Sequence, residues 1–182
     1  MDVKNRFVMP AMGTNLASHD GSASQELISY YTERARGGFG LIITECSAVS
    51  YDGRSLINEC GIWDDALIPG YRELTDSVHK YGAKIAVQLR HCGRETEPKY
   101  TGGKEVLAPS RVPCPSCQSM PHEMTTEEVY EMVEAFGDAA LRAKKAGFDA
   151  VELHASHGYL IAQFLSGHAN KRTDAFGGSL YN

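Results

Sequence analysis

Residues 147–154 have the sequence GFDAVELH, a glycine followed by a short run that is rich in apolar residues. Upstream, over residues 129–143, apolar residues recur at the three- and four-residue spacing of an amphipathic helix. Thr125 and Glu128 have the spacing of a capping box, which marks the start of a helix. Since glycine readily ends a helix in the left-handed conformation, the pattern predicts a helix that stops at Gly147 and leads into a buried strand.

The same order of elements occurs twice more toward the N-terminus. A helix predicted over residues 24–36 precedes the apolar run 39–46, and a helix predicted over 65–81 precedes the run 83–90. Glycine stands at both junctions, and a short strand is predicted at 6–10. Three helix–glycine–strand junctions predict βα units and a parallel sheet.

Composition limits the classes of partner. The 182 residues include 18 Lys and Arg against 23 Asp and Glu, a formal net charge of −5, and the hydrophobic fraction of 42% is ordinary for a globular domain. The acidic balance argues against nucleic acid, and no apolar stretch approaches the roughly 20 residues that span a bilayer. The N-terminus lacks the pattern of a signal peptide. We therefore expect a cytoplasmic protein with no nucleic-acid or membrane partner.

The chain has five cysteines, an odd number that suits a reducing compartment. Cys114 and Cys117 form a CxxC pair inside the segment 92–124, which contains five prolines and no helical period. Structural zinc and iron–sulfur sites usually need more ligands than this pair supplies, so two free thiols are predicted and a metal is the weaker alternative. A loop of this length is usually functional or disordered.

Strand periodicity places polar side chains on one face of two predicted strands. Gln88 and Arg90 share a face of the third strand, while Glu152 and His154 lie opposite the helix-facing Val151 and Leu153 in the fourth. Buried polar groups cost roughly 1–3 kcal/mol each unless they are hydrogen-bonded. The favoured explanation is an internal network in which Glu152 pairs with Arg90 or with a lysine, and a bound polar ligand is the alternative.

Residues 154–159, HASHGY, place two imidazoles and a phenol at the carboxyl end of the fourth strand. In one interpretation, His154 and His157 polarise a carbonyl oxygen while Tyr159 gives up a proton. In another, Glu152, His154 and His157 bind zinc or iron. In the third, the two histidines only cap the strand–helix turn. The local pattern leaves all three open.

The motif continues beyond Tyr159 and has counterparts along the whole chain. The matching segments are 5–9, 31–38, 43–45, 61–63, 88–94, 108–110, 154–160, 163–166, Asn170, Arg172, Asp174 and 177–179. Together they resemble the old yellow enzyme family. The closest resemblance is to the bacterial NADH:flavin oxidoreductases, a group that includes 2,4-dienoyl-CoA reductases and bile-acid-inducible reductases.

The resemblance implies a TIM (β/α)8 barrel with FMN at its C-terminal mouth. NADH or NADPH would reduce the flavin, which would pass a hydride to an activated C=C bond. The positions that match the family's flavin contacts are Pro10, Ala11, Met12 and Gly13 through the backbone, Cys46 against the ring, and Gln88 at the pyrimidine edge. No metal site is implied in this part of the barrel.

The resemblance also implies roles for the histidine–tyrosine cluster. His154 and His157 match the pair that grips the substrate carbonyl oxygen, and Tyr159 matches the proton donor. The substrate would be a small enone, an enoyl thioester or an unsaturated steroid. At Gly13, Asn15 and 167–168 the sequence departs from common family residues, which bears on flavin tuning and on substrate class.

Length is the main departure from the family. A full barrel of this type has eight βα units and about 250 residues, so residues 1–182 hold about the first four units and no second domain. The alternative to an enzyme is a truncated, non-catalytic fragment that cannot hold FMN alone, since the chain ends inside the family motif at 177–182. A 4Fe-4S cluster and a homo-oligomer are expected only for a full-length protein.

Overall fold

The computed structural model describes residues 1–117 and 119–179. Strands and helices alternate along most of this length. In chain order the elements are β1 (Val8–Met9), α1 (Gln25–Arg36), β2 (Leu41–Ala48), β3 (Cys60–Gly61), α2 (Ile68–His79), β4 (Lys84–Arg90), β5 (Leu107–Ala108), β6 (His122–Glu123), α3 (Thr126–Lys145), β7 (Ala150–Leu153) and α4 (Leu160–Leu165). Short 3-10 turns occur at Tyr51–Gly53 and Asp65–Leu67.

The strands form an open parallel sheet. Its order is β1-β2-β4-β7, and β3 pairs with the C-terminal end of β2. Each long strand is reached from the one before it through a helix, which is the connection that parallel strands require. The predicted βα units and parallel sheet are therefore confirmed.

The predicted glycine junctions are also confirmed, although α2 begins and ends a few residues inside the predicted range 65–81. Gly38, Gly82 and Gly147 have φ angles of 108°, 67° and 90°, so each turns the chain in the left-handed region between a helix and a strand. At the other end of α3, the Thr125 side chain accepts from the Glu128 N–H while the Glu128 carboxylate accepts from the Thr125 N–H. These reciprocal bonds satisfy two backbone donors that a helix start leaves free.

The hydrophobic core lies between the sheet and helices α1, α2 and α3. Ile85, Val87 and Leu89 of β4 are fully buried on this face, as the alternation of the strand predicts. Tyr31 of α1 and Tyr71 of α2 pack into the same cluster. The helices thus cover one face of the sheet, and polar side chains occupy the other.

The helix-facing side of β7 is less covered than that of β4. Val151 and Leu153 lie on the helix-facing side, yet they are 43% and 55% exposed. Leu153 instead lines an open apolar groove with Val133 and Phe136 of α3 and Ile161 of α4. Within the described residues, β7 is an edge strand that no helix fully covers.

The segment 92–124 is more regular than its prolines suggest. Strands β5 and β6 lie within it and pair in parallel, Leu107 with His122 and Ala108 with Glu123. The final positions of the motif at 177–182, residues 180–182, lie outside the described part of the chain. No helix among the described residues is both long and apolar enough to cross a bilayer.

Candidate active site at the carboxyl ends of the strands

Three polar side chains form a row across the uncovered face of the sheet. Cys46 of β2, Gln88 of β4 and Glu152 of β7 are register partners in successive strands. The Cys46 thiol donates to Gln88 Oε1 at 2.9 Å, and Gln88 Nε2 donates to Glu152 Oε1 at 2.6 Å. All three are half-buried, so the row combines an ordered network with partial access from the open face.

A β-bulge places Cys46 in this row. The register between β2 and β4 shifts between Thr44 and Cys46, which leaves Glu45 as the extra residue. Strict alternation from Ile43 would direct Glu45 to the open face and Cys46 to the helices. Instead the Glu45 carboxylate is buried, where it accepts from the Thr14 N–H and from the Cys60 thiol.

Arg90 lies two residues beyond Gln88, at the carboxyl end of β4. Its ionic partner is Glu59 and not the predicted Glu152. Its guanidinium forms a buried ion pair with Glu59, each side chain being 5% exposed, and it also donates to Ser55 Oγ at 3.1 Å. The predicted internal network is present, but among the described residues Glu152 pairs with the Gln88 amide and not with Arg90 or a lysine. Arg90 is the register partner of Ala48, and β3 pairs with this end of β2, which brings the residues just before Cys60 to the arginine.

His154, His157 and Tyr159 come together at the end of β7, as predicted. The His154 ring centroid lies 5.2 Å from that of His157 and 4.7 Å from that of Tyr159, both edge to face. The Arg90 guanidinium carbon lies 4.5 Å from the Tyr159 ring centroid. The three side chains named from the sequence therefore share one site with a buried cation.

The turn that brings them together has an uncommon backbone. His157 has a φ of 57° and Gly158 one of 76°, so two successive residues lie in the left-handed region. A non-glycine residue in this region is uncommon, and such conformations cluster at functional sites. The turn leaves the His157 side chain exposed and in contact with the His154 ring.

Ser156 connects the two histidines, a role that the sequence analysis did not identify. Its backbone N–H donates to His154 Nδ1 at 3.4 Å, and its hydroxyl lies 3.0 Å from His157 Nδ1. A ring nitrogen that accepts a hydrogen bond leaves the proton of a neutral imidazole on Nε2. The contacts favour Nε2–H on His154, and on His157 when the serine hydroxyl donates to it.

Burial and Arg90 set the protonation states of the cluster. Burial lowers the pKa of His154 below its usual 6.5, and the positive charges of Arg90 and His157 act in the same direction. Burial raises the pKa of Tyr159 above its usual 10, although Arg90 opposes this shift. At neutral pH the site therefore holds a neutral imidazole beside a protonated phenol.

We expect the His154 ring to titrate below pH 6.5. Because the folded state holds fewer protons at this ring than the unfolded state, the free energy of unfolding should fall as the pH drops below about 6.5. His157→Gln removes one of the nearby charges and should raise the midpoint. The ring proton shifts in an NMR pH titration measure it, with His168→Gln, an exposed histidine outside the cluster, as the control. A midpoint at or above 6.5 in the unmodified chain would contradict the effect of burial.

The segment predicted to line the flavin follows β1. Pro10, Met12 and Gly13 are exposed, Ala11 is half-buried, and a Cβ on Gly13 would meet no atom within 4 Å. The Thr14 N–H that binds Glu45 fixes the segment beside the bulge of β2. Its backbone is thus accessible at the same end of the sheet as the Cys46 row.

Asn15 has a φ of 59° and accepts from the Asn58 N–H at 3.1 Å.

The metal alternative at the mouth has little geometric support. Within residues 1–117 and 119–179, the group of three metal-ligand side chains whose donor atoms converge is Glu95, Cys114 and Cys117, not Glu152 with the two histidines. Glu152 is engaged by the Gln88 amide instead. All five cysteines are free thiols.

A parallel α/β sheet with polar groups at the carboxyl ends of its strands belongs to the α/β class, which places ligands at this edge in both barrels and open sheets. A family model described as "NADH:flavin oxidoreductase / NADH oxidase family" matches residues 1–182. The chain belongs to this family.

Known relatives agree with the family assignment. The chain is 51% identical over 178 residues to an NADH oxidase of Thermoanaerobacter brockii, a match that covers 97% of this chain and 27% of that protein. It is 45% identical over 184 residues to an NADPH dehydrogenase of Bacillus subtilis, which covers 100% of this chain and 53% of that protein. The chain therefore spans about half, or less, of the length of these relatives.

Solved structures establish the barrel. The old yellow enzyme homologue of Zymomonas mobilis superposes with a TM-score of 0.91 at 32% identity, over 97% of this chain and 52% of that one. Morphinone reductase gives 0.90 at 34% identity over the same shares. The predicted family and the TIM barrel, present here as about half, are confirmed. Membership implies FMN as the cofactor with NADH or NADPH as the reductant.

Proposed function

We propose that residues 1–182 form the N-terminal half of an FMN-binding TIM barrel and supply the substrate-binding side of an ene-reductase. The observation that carries this proposal is the convergence of His154, His157 and Tyr159 at the end of β7, next to the Cys46–Gln88 row. The cluster offers donors and an acid, and the row offers an amide and a neutral thiol. Both lie on the face of the sheet that the helices leave open.

The residues at this face suit a flavin. A primary amide, as in Gln88, presents both a donor and an acceptor, which the pyrimidine edge of the ring requires. Burial raises the pKa of Cys46, so this side chain is a neutral, polarisable neighbour for an aromatic ring. Pro10, Met12 and Gly13 are exposed, so the backbone of this segment could approach the ring. When bound, FMN would supply hydride transfer from NAD(P)H to the alkene.

The two histidines would hold the substrate carbonyl oxygen. With Nδ1 of each ring beside Ser156, the two Nε2–H groups are the donors left for a ligand. Two neutral donors aimed at one oxygen stabilise the negative charge that develops there when the β-carbon of the alkene receives a hydride. Because burial lowers the pKa of His154, this ring should stay a neutral Nε2–H donor below neutral pH.

Tyr159 would then deliver the proton to the α-carbon. Its raised pKa keeps the phenol protonated before the reaction. Arg90, which lies over the ring, stabilises the phenolate that forms when the proton leaves. A buried cation beside a proton donor thus lowers the cost of the transfer while burial prevents early ionisation.

The substrate proposed is a small activated alkene: an enone, an enoyl thioester or an unsaturated steroid. Among similar structures, 2-naphthoyl-CoA reductase, with a TM-score of 0.92 at 34% identity, was solved with 2-naphthoyl-CoA, and morphinone reductase with tetrahydroNAD. The histidine–tyrosine cluster of this chain would bind a conjugated carbonyl of any of these classes, so the proposed substrate class is broad. A cytoplasmic location and homo-oligomers of the full-length protein complete the proposal.

A second candidate is a fragment that cannot hold FMN by itself. The exposed Val151 and Leu153 of edge strand β7 favour it, because they form an apolar surface that the described residues leave uncovered. Uncovered strand edges also promote self-association. The two candidates differ in whether this chain alone binds flavin.

The test is a flavin spectrum recorded along a size-exclusion run. If the chain functions alone, FMN should co-elute with a discrete species, bleach with NADH or NADPH without oxygen, and regain its absorbance on addition of 2-cyclohexenone. Gln88→Ala should weaken FMN binding, whereas Gln25→Ala, an amide on the surface of α1, should not. Colourless aggregates would favour the fragment, and a yellow species that no enone reoxidises would contradict the ene-reductase.

A further inference from the structure

A second cluster of reactive side chains lies in the long segment between β4 and α3. Within residues 1–117 and 119–179, Glu95, Cys114 and Cys117 bring a carboxylate oxygen and two sulfurs to within 4.8 Å of one another. Cys114 Sγ lies 3.0 Å from Glu95 Oε2. Cys114 is buried, and the other two side chains are half-buried. None of these residues has a role in the proposed reduction.

Arg94 holds the backbone around the cluster in place from outside it. The Arg94 guanidinium donates to the carbonyl oxygens of Val112 at 3.0 Å and Pro113 at 3.3 Å, which joins the two halves of the segment. The Arg94 N–H donates to Gln163 Oε1 of α4 at 3.2 Å, which fixes the first half to the helix. The donor atoms are therefore positioned before any ligand arrives.

The geometry points to a binding site for a zinc-class divalent cation formed by Glu95, Cys114 and Cys117, with water in the fourth position. Zinc accepts two thiolates and a carboxylate in a tetrahedral set, and thiolate ligands select it over magnesium and calcium. Binding releases the two thiol protons to solvent, so it strengthens as the pH rises. The Cys117 N–H, 3.3 Å from Cys114 Sγ, supports the thiolate form of that ligand.

The position of the site suggests its use. A Cβ built on Gly158 would lie 3.2 Å from Glu95 Oε1, so the carboxylate packs against the turn that presents His157. A cation bound by Glu95 would join the CxxC loop to this turn. The site would thus act as a clamp that orders the mouth of the barrel without contact with the substrate.

The sequence alone could not assign this site. The CxxC pair supplies two ligands, and Glu95 stands 19 residues before Cys114, with no spacing that marks it as a third. Only the fold of the loop brings the carboxylate to the thiols. A disulfide between Cys114 and Cys117 is the competing state, and it would exclude the cation.

Cobalt titration of the reduced, chelator-treated 182-residue chain tests the site. We expect one equivalent of Co²⁺ to produce thiolate-to-cobalt absorption in the near ultraviolet and tetrahedral bands in the visible, both removed by Zn²⁺. Cys114→Ser and Cys117→Ser should lower the affinity by more than about 100-fold, since loss of an outer-shell partner alone costs about 10–100-fold. Glu95→Gln should lower it by at least about tenfold.

A matched control separates ligation from damage to the loop. Glu105→Gln changes an exposed carboxylate of the same segment that is not among the converging donor atoms, and this variant should bind Co²⁺ as the unmodified chain does. Circular dichroism verifies the fold of each variant, and zinc content after purification gives a second readout. A reduced chain without a saturable 1:1 cobalt spectrum, or folded cysteine variants that keep it, would overturn the proposal. Neither readout depends on flavin, so this test is independent of the proposed reductase.

Discussion

Tyr159→Phe should abolish most alkene reduction while leaving flavin reduction intact. The substitution removes the phenol hydroxyl from the histidine cluster and keeps the ring that contacts both His154 and Arg90. A positioned general acid typically contributes about 10²–10⁴-fold, so turnover of 2-cyclohexenone should fall by about that factor. The rate at which NADH or NADPH bleaches the flavin should change little, because hydride transfer to the flavin requires no proton from Tyr159.

Anaerobic stopped-flow spectroscopy separates these two half-reactions. The reductive rate is followed by loss of flavin absorbance on mixing with the nicotinamide, and the oxidative rate by its return on mixing with the enone. Tyr130→Phe is the matched control, since Tyr130 is an exposed residue of α3 that packs on Phe176. Equal loss in both half-reactions would indicate a damaged flavin site, and an unchanged oxidative rate would remove Tyr159 from the mechanism.

The repeating part of the fold could be predicted because its signals are local. The capping box at Thr125 and the glycines at 38, 82 and 147 each act within one turn of the chain, so their physical effect is visible in a few neighbouring residues. The cluster of His154, His157 and Tyr159 was equally accessible, since one strand end and one turn contain all three. Their roles in the chemistry stay predictions.

The remaining features depend on tertiary register, which a single segment does not encode. Strand alternation alone would place Cys46 against the helices, and the bulge at Glu45 reverses this through pairing with β4. The position of Cys46 followed only from the family resemblance. Likewise, the buried partner of Arg90 is Glu59, which reaches it because β3 pairs with the end of β2. Glu152 lies in the adjacent strand and carries the charge opposite to that of Arg90, which made it the expected partner. In the structure its carboxylate instead accepts a hydrogen bond from the Gln88 amide.

Arg90→Met should lower the free energy of unfolding by about 3–5 kcal/mol. Both partners of the Arg90–Glu59 pair are buried, and Arg90 binds Glu59 Oε1. The contacts that stay in the described part of the chain are to Oε2, from the N–H groups of Ser55 and Leu56 at 2.8 and 3.2 Å and from the Ser55 hydroxyl at 3.4 Å. Breaking a buried pair on one side is costly because the charge that stays has lost its compensation. Urea unfolding followed by circular dichroism measures the effect.

A double-mutant cycle distinguishes loss of charge pairing from loss of packing. Glu59→Gln retains an acceptor for Ser55 and Leu56 but carries no charge, so its combination with Arg90→Met should cost clearly less than the two single changes added together. Lys99→Met, which breaks the exposed pair with Glu97, should cost less than about 1 kcal/mol. If the double variant is as unstable as the sum of the singles, the arginine stabilises the fold by packing alone. In that case the charge of Arg90 would act only on the phenol of Tyr159. The pKa of Tyr159 should rise in Arg90→Met, because the cation that opposes the effect of burial is gone.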